Sequence, residues 1–168
     1  EVNEQLNLEI DERKQTEIEL KKAKAKTEEN ELKFRDFFNN SPVGTFVVDV
    51  NEKLEYTFNS INPFSEDLIG ISNKEIQGRS LSILKEKYGD ETMNYVADLY
   101  NKIALSKKTH SFEEEVKLHD KTLYLNTTIR PIINEFGRVI RLIGTNLDIS
   151  NFKKAELQIR TLSAAVEH

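Results

Sequence analysis

The chain has 168 residues, enough for one domain with a proper core plus extensions. Its 24 Lys and Arg stand against 29 Asp and Glu, a formal charge of -5, and its densest basic group (Lys21, Lys22, Lys24, Lys26) is diluted by neighbouring acids, which argues against nucleic acid as a partner. There is no cysteine, which removes disulfides, thiolate catalysis and cysteine–metal sites.

No apolar run approaches a bilayer span and no signal-peptide pattern is present, so this segment is expected to make no direct membrane contact. The chain begins at Glu1 without a Met and stops inside a helical pattern, as a piece cut from a longer protein would. Residues 1 to about 30 contain no Gly and no Pro and are dense in Glu, Lys, Gln and Leu, which predicts a long helix. Leu6, Arg13, Leu20, Thr27 and Phe34 share one heptad position, and Ile10, Glu17, Lys24, Glu31 and Phe38 share the facing one. A seam this polar is either a weak coiled coil of adjustable register or a solvated helix. Phe34, Phe37 and Phe38 form an aromatic cluster expected to dock on the domain, and Asn39-Asn40-Ser41-Pro42 breaks the helix.

Gly44 to Val50 reads as a strand, Asn51-Glu52-Lys53 as a turn, and Leu54 to Phe58 alternates as a second strand. Asn59 to Ser80 is expected to form short helical turns punctuated by Pro63, Gly70 and Gly78, with Leu68, Ile69, Ile71 and Ile76 facing inward. From Thr92 to Ser106, Met93, Val96, Leu99, Tyr100 and Ile103 recur at helical spacing. Phe112 to Leu118 alternates as a strand, Asp120-Lys121 turns the chain, and Lys121 to Ile133 returns with Leu123, Leu125, Thr127 and Ile129 on one face. Glu135-Phe136-Gly137 is a turn, and Val139 to Leu147 is the last strand. After Asp148-Ile149-Ser150, whose Asp and Ser suit a helix start, Phe152, Ala155, Ile159, Leu162 and Val166 repeat every three and four residues as a helical seam facing a partner. Residues 9–18 resemble residues 148–157, as if one connector type flanked a globular middle. The order predicts an α+β fold: a five-stranded antiparallel sheet with short helices on one face, plus long N-terminal and C-terminal helices. The expected divisions are 1–34, 35–150 and 151–168.

That order, with its landmarks, resembles a PAS domain over nearly all of residues 35 to 150. The residues carrying the resemblance are Phe34 to Gly44, Phe58-Asn59 followed after three residues by Pro63, Leu68-Ile69-Gly70, and Glu75-Ile76-Gln77-Gly78-Arg79-Ser80. Arg130-Pro131-Ile132, Gly137-Arg138-Val139-Ile140 and Asp148-Ile149-Ser150 complete it, the last standing where the family carries an Asp-x-Thr junction. Leu162 to His168 looks like the lead-in to a further domain or the start of a purification tag.

The resemblance implies a cavity between sheet and helices, towards which the strand pattern places Leu125, Thr127, Leu142 and Asn146. A buried Asn needs a partner, either a ligand group or another protein group or water. Light-sensing relatives that bond flavin use a cysteine, so that covalent chemistry is excluded here. Haem-binding relatives place a histidine on the long helix; His110 lies beyond it, which disfavours haem. The identity of any cofactor stays unknown. The junction Asp148 commonly pairs with a basic residue in the family, making Arg130 or Lys117 the candidate, unless it only caps the helix. His110, His119 and His168 lack metal-ligand spacing, and no phosphate loop or nucleophile motif occurs, so no catalysis is expected. Glu113-Glu114-Glu115 reads as a solvated strand whose middle member faces away from its neighbours. Two readings remain. One is a small-molecule sensor from a cytoplasmic signalling protein such as a histidine kinase or diguanylate cyclase, homodimeric through its flanking helices. The other is a ligand-free dimerisation and relay module.

Overall fold

The computed structural model of the protein describes residues 2–118 and 121–166. His119, Asp120, Glu167 and His168, which figure in the turn, histidine and lead-in expectations above, lie outside the described residues. Two compact units are present, residues 1–40 and 41–168. The first is helix α1, Val2–Asn40. Strong helix formers and ion pairs one turn apart account for it, including Arg13–Glu9 at 2.8 Å and Lys21–Glu17 at 3.0 Å. Such exposed pairs contribute a few tenths of a kcal/mol each, ~0.3–0.5. Of the aromatic cluster Phe38 is buried, and Phe34 stacks on it at 5.4 Å, while Phe34 and Phe37 stay exposed.

The second unit holds a five-stranded antiparallel sheet in the order β2-β1-β5-β4-β3. The strands are β1 (Gly44–Val50), β2 (Tyr56–Ile61), β3 (His110–Leu118), β4 (Lys121–Ile133) and β5 (Val139–Asp148). β5 is central, pairing Leu142 with Val48 on one side and Asn146 with Thr127 on the other. β2 starts and ends later than its alternation suggests. Asn51 Oδ1 accepts from the amides of Lys53 and Glu55, which extends the turn through Leu54 at φ 58°. Ser60 and Ile61 then pair with Val47 and Phe46 of β1, with Asn59 as the extra residue at the Val47/Val48 bulge, instead of entering a helix.

On one face lie α2 (Pro63–Ile69), α3 (Asn73–Ile76), a 3-10 turn (Leu81–Leu84) and α4 (Lys85–Ser106), which is interrupted at Gly89 with φ 81° and ψ 162°. Val48, Ile76, Ile103, Ile129 and Leu142, each at most 2% exposed, mark where these helices close on the sheet. Burial of an aliphatic side chain of this size contributes about 1.5–3 kcal/mol, so this layer is the main source of order. α5 (Ser150–Val166) starts on the opposite face, where Lys153 meets Glu113 at 2.6 Å. Among the described residues no helix is long and apolar enough to cross a membrane.

Candidate functional site: a sheet-lined cavity and its exit helix

A cavity of about 360 Å³ lies between α4 and the inner face of the sheet. Its walls are largely apolar and aromatic, with Phe46, Tyr88, Met93, Tyr100 and Phe112 among them. Phe46 reaches the wall because its strand partner is Gly144. A Cβ built on Gly144 would stand 1.8 Å from the Phe46 ring, so only a residue without a side chain permits the ring to lie across β5. Asn62, fully buried, fixes the edge of the site. Its Oδ1 accepts from the amides of Thr45 and Ser65 at 2.8 and 3.0 Å, and its Nδ2 donates to the Val43 carbonyl at 2.9 Å. It thereby caps α2 and ties that helix to β1.

Polar chemistry on the sheet is concentrated in one chain of hydrogen bonds. Asn146 Nδ2 on β5 donates to Thr127 Oγ1 on β4 at 2.8 Å, and Thr127 Oγ1 donates to Glu114 Oε1 on β3 at 2.6 Å. All three residues line the cavity. Burial pushes the Tyr100 and Tyr88 phenols above their usual range, and the Glu114 charge adds to both shifts. Across from them Tyr56, held by a 2.8 Å bond to Asn101 Oδ1, is pushed up to about 12 by burial. These phenols stay neutral at physiological pH.

The exit from the sheet is tied down at several points. Ile149 N donates to the Tyr124 carbonyl at 2.8 Å, and Tyr124 N donates to Ser150 Oγ at 2.9 Å, so both backbone groups of Tyr124 hold the junction. Asp148 Oδ1 accepts from Ser150 N at 2.9 Å. Lys153 N donates to the Ile149 carbonyl at 2.9 Å, starting α5, while its ammonium is clamped by Glu113 on β3.

The residues singled out in the sequence distribute as follows. Leu125, Thr127 and Asn146 come together on the cavity wall; Leu142 is fully buried in the core beside Val48 and is not part of the lining. Asn146 finds a protein partner, Thr127. Asp148 sits opposite Leu125 in the register, whereas Arg130 sits opposite Ile143, so the expected pairing of Asp148 with Arg130 is not made. Five strand residues separate those positions, roughly 16 Å of backbone. Lys117 pairs in register with Thr122 on the far side of β4, and the Asp148 carboxylate serves the Ser150 amide instead. Phe152, Ile159, Leu162 and Val166 are exposed along α5, as is Ala155. His110 lies beside Phe112 at the start of β3, the rings tilted by 42° with centroids 5.9 Å apart, and does not line the cavity.

Sequence reasoning missed Glu114 and Asn62. Glu114 alternates with Phe112 and Val116, two apolar residues facing in, and that pattern was the available signal. Asn62 directly precedes Pro63, so the asparagine at the strand exit is this one, and the three-residue gap counted from Asn59 is an error of register.

A family profile described as the PAS fold matches residues 38–154. The chain belongs to the PAS family. Solved PAS structures superpose on it at low identity. The PAS domain of BvgS from Bordetella pertussis does so with a TM-score of 0.60 and 16% identity, covering 81% of this chain and 98% of that one. The PAS domain of an HTR-like protein from Haloarcula marismortui gives a TM-score of 0.55 at 21% identity, over 77% of this chain and 99% of that one. An RNA-binding light-oxygen-voltage receptor gives 0.58 at 20% identity over 80% of this chain, but only 37% of that chain is covered. Likeness at these identities carries the fold alone. PAS domains are generally non-catalytic sensory modules, and the architecture here is that of a PAS sensor domain with helices at both ends.

Proposed function

We propose that this PAS domain senses a small molecule in its sheet-lined cavity and passes the signal through β5 and β3 to α5, as one module of a multidomain cytoplasmic signalling protein such as a histidine kinase or diguanylate cyclase. It works as a homodimer through its flanking helices and carries out no catalysis itself. The divisions 1–34, 35–150 and 151–168 correspond to input helix, sensor and output helix. One observation carries this reading: the residues that face the cavity are chain neighbours of those that hold the output helix. On β3 Glu114 lines the cavity while Glu113, its neighbour on the other face, clamps Lys153 of α5. On β5 Asn146 lines the cavity two residues before Asp148, whose carboxylate holds the first amide of α5. A ligand that moves either strand therefore moves the helix base on the other side of the sheet.

Native mass spectrometry of the purified protein tests the sensing half directly. A retained small molecule, released when the cavity wall is altered by Leu125→Trp, is the expected result. A clean apo mass for protein purified gently from several hosts would instead favour a ligand-free dimerisation and relay module.

A further inference from the structure

We propose that the cavity is built for an amine: a small apolar molecule with a cationic, hydrogen-bond-donating head seated on Glu114 and Asn146. This rests on the reading of the cavity as a ligand site and narrows it to one chemical class. The inference follows from hydrogen-bond direction. A carboxylate only accepts, so the 2.6 Å contact of Thr127 Oγ1 with Glu114 Oε1 makes the hydroxyl the donor. That hydroxyl has one proton. The 2.8 Å contact with Asn146 must then run from Nδ2 to Oγ1, which also settles which way the amide points.

What remains are chiefly acceptors. Glu114 Oε2 and Asn146 Oδ1 receive no hydrogen bond from the protein among the described residues, and Asn146 is only 8% exposed. One amide hydrogen of Asn146 is the relay's single spare donor. Among the described residues no fully buried side-chain nitrogen or oxygen lacks a partner, so these two oxygens are open to the cavity, where a guest that brings donors can take the place of water on them. Charge agrees with direction. Glu114 is half-buried on the wall, whereas Lys117, the cation among the described lining residues, is exposed beside Glu115. A carboxylate ligand would meet Glu114 as a like charge away from bulk water, while an ammonium would meet it as a partner. The walls suit the same guest, because Tyr100 and Phe112 line the cavity with apolar surface that buries an apolar body, while the Tyr88 ring already meets the Lys87 ammonium at 5.8 Å.

Three probes of nearly one shape separate the alternatives: phenethylamine, 3-phenylpropanoate and propylbenzene, titrated into the purified protein and followed by amide chemical shifts. Phenethylamine is expected to bind about tenfold or more tighter than 3-phenylpropanoate, with shifts at Thr127 and Asn146. E114Q, close to isosteric, is expected to erase that preference. Equal or tighter binding of 3-phenylpropanoate, or a preference that survives in E114Q, would overturn the amine assignment. Propylbenzene binding at the same residues would then leave the ligand-site reading standing. No binding by any of the three overturns both. The comparison in the unaltered protein decides the matter even where E114Q does not fold.

Discussion

Asp148 and Ser150 lie two residues apart at the junction and hold different things. Ser150 is buried, and its Oγ is the acceptor for the Tyr124 amide, a backbone group inside the sheet. Removing that hydroxyl strands a backbone donor, a loss of about 1–3 kcal/mol. Asp148 is exposed and, among the described residues, accepts from the Ser150 amide alone, a helix-start bond of about 1 kcal/mol. Ser150→Ala should therefore lower the unfolding midpoint clearly, and Asp148→Ala should leave it nearly unchanged. The two differ again in the multidomain signalling protein proposed above, where Asp148→Ala is expected to weaken output because about 1 kcal/mol is comparable to the gap between two signalling states. Thermal denaturation beside a signalling assay checks both; equal destabilisation by the two variants would sink this division of labour.

At the scale of elements, the sheet depends on one glycine. Gly144→Ala places a methyl group where the Phe46 ring now lies, and the ring must swing towards the cavity or the strands must part. Overpacking of this kind costs about 1–3 kcal/mol. Phe46→Leu in the same chain should recover part of the loss, since the two residues touch, and a double-mutant cycle by denaturant unfolding measures that coupling. Strict additivity would show that the contact does not constrain the sheet. The strands β1, β4 and nearly all of β5 were legible because alternation over seven or more residues has few competing interpretations. β2 was misplaced because Asn59-Ser60-Ile61 carries little alternation, and its pairing with Phe46 and Val47 is a long-range fact no local pattern holds. Thr127 and Asn146 could be placed on the inner face by period alone. Their union with Glu114 could not, because it depends on which strands are neighbours, and the run of three glutamates reads locally as a solvated strand.

For the whole molecule the open question is what covers the apolar side of α5. Phe152, Ala155, Ile159, Leu162 and Val166 recur every three and four residues, and the four larger ones are at least 65% exposed on the single chain. The first turn of α5 is held by Tyr124 and Glu113, and in the proposed homodimer burial against the partner helix would add to the order of the rest, since a helix of 17 residues is marginal in water by itself. The spacing is that of a coiled-coil seam, and a second copy of the chain offers the matching seam in register. α1 carries the same device in weaker form: Leu6, Ile10 and Leu20 interrupted by Arg13, Glu17 and Lys24. Polar seam residues lower the cost of sliding from one register to another, which suits the role proposed above for α1 as an input helix. Light scattering is expected to give a dimer at high micromolar concentration. Ile159→Glu with Leu162→Glu should give a monomer that keeps its sheet by circular dichroism, while Leu6→Glu with Leu20→Glu should weaken the dimer less. A monomeric wild-type chain would refute the pairing, and equal sensitivity at the two ends would refute the division between a firm output seam and a yielding input one.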